Sequence, residues 1–462
     1  MSDTRQHVAF LDYTGPWKQS RRKCNDLLRV VNPGVAVLWD ALKRAKIEVG
    51  FCRPETARNY EVVLVSLASR FDVVNLLCSI RDHWRTWAPG RREFKVIVGG
   101  PGLQNPRPLL GVWDAAVFGR AEGTITPLVG SLLDGGLLGR FEDESILWAD
   151  NPTAPVRFGM AKEIYPRRLN LYTDIWQERE IGCKELCRYC QYTFTHTPVC
   201  PEGGRGGIYT AGKGPTRQVR IADLVAGTVD SPRVTTAIDG FSERIRFAFC
   251  KRITDDEIVE GLSKLSELRP QGSFVRLNVI GSVPTETPDD WDRLKRALAR
   301  VRGPGRLSVE IRVMEFQAEP FTPLQWFPMP QEVDWAEIAQ QPFYEGGIIN
   351  AWYSRHCQGR WATFVSMLLA RAVNTGPVLD ASTVDVYTDA LRLLLKGRFR
   401  GNHMTATGKW RQIQRVNPLV YGSITGEWGG DRPLPTRKIT GRFDDVRLDE
   451  MGDGVRAWLG MD

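Results

Sequence analysis

The sequence predicts an α/β protein. It opens with a doubly wound parallel-sheet domain, continues into a second βα series that suggests an open or partial barrel, and ends in a mainly helical region. Three observations carry this. Short apolar runs alternate with helix-spaced segments over the first 135 residues; turn formers follow several of those runs; and the alternation resumes near residue 170. Apolar runs at 8–13, 47–52, 62–67, 94–98 and 115–118 are predicted as buried strands, with helical spacing at 35–45, 73–84 and 126–133. Strands alternating with helices imply a parallel sheet covered on both faces. Gly15, the run Gly99-Gly100-Pro101-Gly102 and Gly119 follow the first, fourth and fifth strands. Loops at such carboxyl ends are where these sheets bind ligands.

A polar, proline-bearing stretch, 141–168, is expected to link the two units. In the second unit, runs at 171–176, 234–238, 274–280 and 307–313 are predicted strands, the first leading directly into Gly182-Cys183. Thr254 and Glu257 form a capping box ahead of the apolar helix face Ile258, Leu262, Leu265 and Leu268. Thr287-Pro288 opens another helix, with a side-chain cap and proline at the first position. The expected division is 1–140, linker 141–169, barrel 170–330 and a helical, basic region 331–462.

Composition bounds the function. With 462 residues, 42% hydrophobic and 25% charged, the chain is neither mainly disordered nor fibrous. No apolar run approaches the roughly 18–20 residues of a membrane span, so a soluble, cytoplasmic protein is expected. Nine cysteines are too few for a disulfide scaffold and read as thiols or cofactor ligands. The net charge of +8 is uneven. Residues 395–442 hold ten basic side chains against Glu427 and Asp431, and the last twenty residues carry a net −4. Basic and aromatic residues in that segment, Arg398, Arg400, Lys409, Trp410, Arg411 and Arg415 among them, are nucleic-acid contact candidates. A solvated positive face, or one paired with the acidic tail, is the competing reading.

Cys183, Cys187 and Cys190 form CxxxCxxC, with Tyr189 just before the last cysteine. Three thiolates this close can bind three irons of a 4Fe–4S cluster and leave the fourth iron open to a chelating ligand. A zinc site completed by His196 or Cys200 is the alternative, although no second CxxC unit is present. Cys24, Cys52 and Cys78 read as small buried hydrophobes, and Cys250 as core-facing. Cys357, beside His356 in a polar stretch, is a candidate hydrogen-atom or proton donor.

Beyond the cysteines, the chain resembles radical S-adenosylmethionine enzymes that carry an N-terminal cobalamin-binding domain. The likeness lies in Val96-Ile-Val-Gly-Gly-Pro-Gly, Ala116-Val-Phe-Gly-Arg-Ala-Glu-Gly-Thr, Asp239-Gly-Phe-Ser-Glu-Arg-Ile-Arg with Lys251-Arg-Ile-Thr-Asp-Asp-Glu, Val279-Ile-Gly-Ser-Val-Pro-Thr-Glu-Thr, and Glu315-Phe-Gln-Ala-Glu-Pro-Phe-Thr-Pro-Leu-Gln-Trp. These segments span about residues 60–330 in family order.

The resemblance implies a flavodoxin-like cobalamin-binding domain followed by a partial (β/α)6 barrel. It implies a cluster on Cys183, Cys187 and Cys190, with Tyr189 on the adenine side of S-adenosylmethionine and Ser242, Glu243 and Arg244 at its ribose and methionine parts. Ser66, Gly99 and Gly100 would line the corrin tail. Two departures stand out. No histidine follows Asp12-Tyr13-Thr14-Gly15, so cobalamin would bind without a protein histidine on cobalt, and Asp239 replaces the family's usual glutamate. The implied activity is carbon methylation, with radical rearrangement, oxidation or cyclisation as a second reading and non-enzymatic metal or nucleic-acid binding as a third. The implied partners are S-adenosylmethionine and an electron donor such as flavodoxin or ferredoxin.

Overall fold

A computed structural model describes residues 6–12, 33–68, 70–84, 91–103, 111–135, 140–160, 169–171, 174–178, 186–195, 208–210, 217–229, 231–319, 321–325, 327–328, 344–355, 439–440 and 445–459, with Pro106, Leu109, Tyr165 and Met461 besides.

The first sheet contains β1 (Gln6–Asp12), β2 (Val49–Phe51), β3 (Tyr60–Ser66), β4 (Lys95–Gly99), β5 (Ala115–Val117) and β6 (Ile146–Trp148). Its order is β2-β1-β3-β4-β5-β6. The first five strands are parallel, and β6 closes the edge antiparallel to β5. Order 2-1-3-4-5 is one of the two common doubly wound arrangements.

Alternate side chains explain why the strands are apolar throughout. Val8, Phe10, Val62, Leu64, Ile97 and Val117 pack with α1 (Pro33–Arg44) and α3 (Ile125–Leu133) in one core cluster. Ala9, Leu11, Val63, Val65, Val96 and Val98, which alternate with them, are buried too. Helix α2 (Arg70–His83) contributes Leu76, Leu77 and Ile80, all inaccessible to solvent. A sheet buried on both faces has no polar side to alternate with. One edge is pinned electrostatically: Asp114 accepts from the Val96 amide at 2.8 Å and pairs with the buried Arg92.

The second sheet has β11 (Arg217–Gln218), β12 (Arg233–Ala237), β13 (Ser273–Gly281), β14 (Leu307–Glu315), β15 (Tyr344–Gly346) and β16 (Ile349–Arg355), ordered β11-β12-β13-β14-β16-β15. Five strands are parallel, and β15 pairs antiparallel with β16. Helices α5 (Ile221–Val225), α7 (Asp255–Leu268) and α8 (Pro288–Leu298) cover one face, where Val275, Leu277, Val279, Val309, Ile311 and Val313 form a single cluster with Leu262, Leu265 and Leu294. The capping box forms as expected, with the Thr254 side chain accepting from the Glu257 amide at 3.1 Å and Glu257 accepting from the Thr254 amide at 2.8 Å. Asp290 accepts from the Thr287 amide at 2.9 Å to open α8.

Three expectations need correction. The run 171–176 is not a barrel strand: β8 (Leu169–Leu171) and β9 (Asp174–Glu178) form an antiparallel hairpin, and β9 also pairs with β10 (Ile208–Thr210). The chain reverses between them, and apolar content alone does not distinguish one strand from two halves of a hairpin. The stretch read as a linker carries β6, because Ile146-Leu147-Trp148 is apolar enough to bury on the sheet edge. It also carries β7 (Val156–Arg157), which pairs with β17 (Ile439–Thr440). The region after 331, expected to be mainly helical, contributes the strands β15 and β16, along with a terminal helix, α9 (Asp445–Leu459), whose Val455 and Leu459 pack against Ile245 and Phe316. Among the described residues, no helix is long and apolar enough to cross a membrane.

Replacing Thr254 with alanine should cost about 1 kcal/mol of stability in urea unfolding, whereas serine at this position should retain it. An unchanged midpoint for the alanine variant would show that the cap contributes nothing to the fold.

Candidate cofactor site

The carboxyl ends of β1, β3, β4 and β5 open onto a cavity of about 380 Å³. Its volume falls in the roughly 300–1,000 Å³ range of small-molecule sites. Ser66 and Gly99 sit side by side on β3 and β4, and both line it with Gly100. The opposite wall comes from α4 (Gln191–Thr195), through Gln191, Tyr192 and Thr195. Because α4 begins one residue after Cys190, this wall of the cavity follows directly on the cysteine loop in the chain.

The glycines act mainly on their own chain. Gly100 has φ +107°, and a Cβ there would lie 2.6 Å from the Leu67 carbonyl oxygen. The β3 and β4 loops interlock at that point, with the Leu67 amide donating to the Gly99 carbonyl at 2.8 Å and Gly102 to Leu67 at 2.7 Å. Close approach of the protein's own backbone is the reason for glycine here. Gly119, also on the cavity wall, meets Gly159 in the same way.

Cys187 is buried and Cys190 half-buried on a tight turn, where the Cys190 amide donates to the Cys187 carbonyl at 3.0 Å. This turn is tied to the second sheet. The Arg188 amide donates to the Phe249 carbonyl at 3.1 Å, and its guanidinium donates to that of Ala248 at 3.3 Å. Tyr189 meets Phe249 edge-on at 5.3 Å and is hydrogen-bonded to Asp239. Burial, with Asp239 and Cys187 nearby, raises the Tyr189 hydroxyl well above its usual value and keeps the proton on the ring oxygen. Cys183 lies outside the described residues, as do Cys357, Arg398, Arg400, Lys409, Trp410, Arg411 and Arg415. Among the described residues, no three histidine, cysteine or acidic side chains group closely enough to hold a metal.

Asp239 was noticed in the sequence only as a departure from a pattern, yet it joins the two parts of the site. It is 2% exposed, left-handed at φ 62°, hydrogen-bonded to Tyr189, and 3.4 Å from the Lys251 ammonium. Aspartate is among the residues that best tolerate that backbone region. The cysteine turn and the end of β12 are therefore held by one carboxylate.

Ser242, Glu243 and Arg244 are brought to the same edge, and each has a partner within the protein. Ser242 caps α6 (Glu243–Ala248) and donates to Asp290 at 2.5 Å. Arg244 donates to Asp290 at 2.7 Å and to the Thr285 carbonyl at 3.0 Å. Glu243 accepts from the Asp255 amide at 2.7 Å. Arg246 has no exposed side-chain surface and clamps the turn, donating to the carbonyls of Gly240 at 3.1 Å and Ile253 at 2.7 Å and pairing with Asp255.

The next turn is shaped by Glu286. It accepts from the Ser282 amide at 2.6 Å, where Ser282 and Thr285 have φ 57° and 68°. Burial pushes its carboxyl up to about 8. Cys52 is buried, as expected, and burial pushes its thiol up to about 12. Cys250, expected to face the core, is only half-buried, in a left-handed turn at φ 61°.

Two expected outcomes follow from this geometry. Asp239→Ala should lower iron retention after anaerobic reconstitution by roughly tenfold, on the scale of outer-shell losses, while Asp239→Asn keeps the acceptor and most of the iron. Equal retention in wild type and Asp239→Ala would remove the latch. Glu286 has a folded value above its ordinary 4.5, so its contribution to stability is complete below that pH and lost as pH rises through about 8. The thermal midpoint of the wild type should accordingly fall between pH 5 and 9 more steeply than that of Glu286→Gln, as scanning calorimetry would show.

No family model matches the chain, and neither does any curated protein. Solved structures of OxsB, a cobalamin-dependent S-adenosylmethionine radical enzyme, do match. Its apo form is 11% identical over 99% of this chain and 67% of that one, with a TM-score of 0.25. The form with aqua-cobalamin is 10% identical over 91% and 57%, with a TM-score of 0.24. With aqua-cobalamin and S-adenosylmethionine bound, the values are 11%, 99%, 67% and 0.24. At these scores the likeness decides nothing about function, and the residues themselves carry the reading.

Proposed function

We propose that this chain is a radical S-adenosylmethionine enzyme that acts at an unactivated carbon, with methylation by way of cobalamin as its reaction. The supporting observation is the shared cavity: helix α4, which follows Cys190, forms the wall facing the carboxyl ends of the first sheet. Cys183, Cys187 and Cys190 would hold a 4Fe–4S cluster, and the donor set suits it, since thiolates are the usual ligands. Bound there, the reduced cluster supplies the electron that cleaves S-adenosylmethionine and so makes hydrogen abstraction possible. The cavity would take part of cobalamin, which supplies the methyl group. Its lining contains Ser66, Gly99 and Gly100.

The chain's own part is placement and exclusion of water. Asp239 and Tyr189 hold the cysteine turn against β12. Tyr189 and Phe249 cover the turn with aromatic surface, and Phe316 stacks behind Phe249 at 6.1 Å. Asp290 fixes Ser242 and Arg244, which keeps α6 in place beside that turn.

Anaerobic reconstitution with iron and sulfide, followed by reduction in the presence of S-adenosylmethionine, should yield 5′-deoxyadenosine, and Cys187→Ala should abolish it. A corrinoid band in the optical spectrum after hydroxocobalamin is added should persist through desalting. No nucleoside product from the wild type would overturn the radical reading. A productive cluster without a retained corrinoid would overturn methylation and leave rearrangement or oxidation.

A further inference from the structure

We propose that the face of the second sheet that none of the described helices covers binds one strand of nucleic acid, with a base stacked on Trp352 and a phosphate held by Arg312 and Asn278. The proposal deepens the reading above by naming the substrate class, and it rests on that reading for its catalytic meaning.

Residues facing away from α5, α7 and α8 form three rows across the strands. Arg233, Phe274, Ser308 and Asn350 make the first row; Thr235, Arg276, Glu310 and Trp352 the second; Ala237, Asn278, Arg312 and Ser354 the third. The helix-covered face is aliphatic, whereas this one is polar, cationic and aromatic. Glu310 is satisfied locally, accepting from Arg276 at 2.7 Å and from Ser354 at 2.6 Å. Glu310 and Glu345, the latter in register with Asn350, share the face with three guanidinium groups, those of Arg233, Arg276 and Arg312, so the described residues of this face carry a net +1. Arg312 has no hydrogen-bond partner and no ion pair among the described residues, and its register neighbour Asn278 has no side-chain partner there either. Two adjacent sets of N–H donors left open on one face of a sheet suit a phosphate.

The aromatic half is built for a flat ring. Trp352 is 37% exposed, with its ring centroid 6.1 Å from that of Phe274. The guanidinium carbons of Arg233 and Arg276 lie 4.9 and 5.7 Å from the Phe274 centroid. Trp352 and Arg312 are one strand and two residues apart, about 8 Å between backbone positions, within the reach of the base and phosphate of one nucleotide. Arg233 lies two strands and four residues from Arg312, about 16 Å away, which a mononucleotide does not span and a strand does. Base stacking on a tryptophan beside guanidinium groups is a sequence-tolerant way to hold a single strand.

The test is fluorescence anisotropy of fluorescein-labelled oligo(dT) with the full chain, without reductant or S-adenosylmethionine. Trp352→Ala should weaken binding about 5- to 100-fold, and Trp352→Phe should keep most of it. Arg312→Gln should reduce the slope of log K against log salt by about 0.7, one phosphate contact on a single strand. Wild-type binding and slope in both Trp352→Ala and Arg312→Gln, with unchanged thermal midpoints, would overturn the proposal. So would competition by free dTMP as effective, per nucleotide, as unlabelled oligo(dT). If Trp352→Ala fails to fold, Trp352→Phe against Arg312→Gln still decides it. Because 5′-deoxyadenosine formation is measured without oligonucleotide, a failure of the radical reading is seen separately.

Discussion

The turn after β12 is the constraint on which the arrangement depends. Five parallel strands end at one edge, and the chain must leave that edge without orphaning its backbone groups. Here Asp239 turns left-handed, Arg246 takes up the Gly240 and Ile253 carbonyls, and Ser242 caps α6. Arg246 is wholly buried, and its charge is matched by Asp255. Taking one member from such a pair leaves an unmatched charge in the interior, at a cost of about 3–5 kcal/mol. The same turn receives the cysteine loop through Tyr189, Arg188 and Phe249. Fold stability and the placement of the cysteine loop therefore share one set of contacts.

The two sheets meet through aromatic packing. Phe118 at the end of β5 lies edge-on to Phe158 at 5.8 Å, and Phe158 to Phe321 at 5.2 Å. Phe158 also lines the cavity, so the seam between the sheets and the cavity wall are made from one side chain. The terminal helix reinforces the opposite side, where the Trp458 indole donates to the Arg244 carbonyl at 3.0 Å. The Phe118–Phe158–Phe321 chain thus ties the cavity wall of the first sheet to the segment that follows β14.

How much of this was legible depends on the range of the interaction. The Thr254–Glu257 box and the buried strands of the first sheet involve neighbours in sequence or one face of a single element, and they appear where expected. The hairpin of β8 and β9 does not advertise itself, because its partner strand β10 lies thirty residues beyond β9. Ser242 and Arg244 were read by resemblance as ligand contacts, and their shared partner Asp290 lies 48 and 46 residues away. Nothing local in Ser-Glu-Arg announces a carboxylate at that distance. Asp239 is similar: its residue type was visible, but its bonds to Tyr189 and Lys251 were not.

By itself the sequence determined the class of fold, the helix caps, the CxxxCxxC loop and the glycine turns, since each is set by backbone conformation or by spacing along the chain. Only the tertiary structure decided that α4 lines the cavity of the first sheet, that Gly100 is required by the Leu67 backbone, and that Arg312 and Trp352 stand on the face that none of the described helices covers. Those facts depend on the register between strands and on which edges come together, and contacts between residues far apart in sequence leave no periodic trace in either segment.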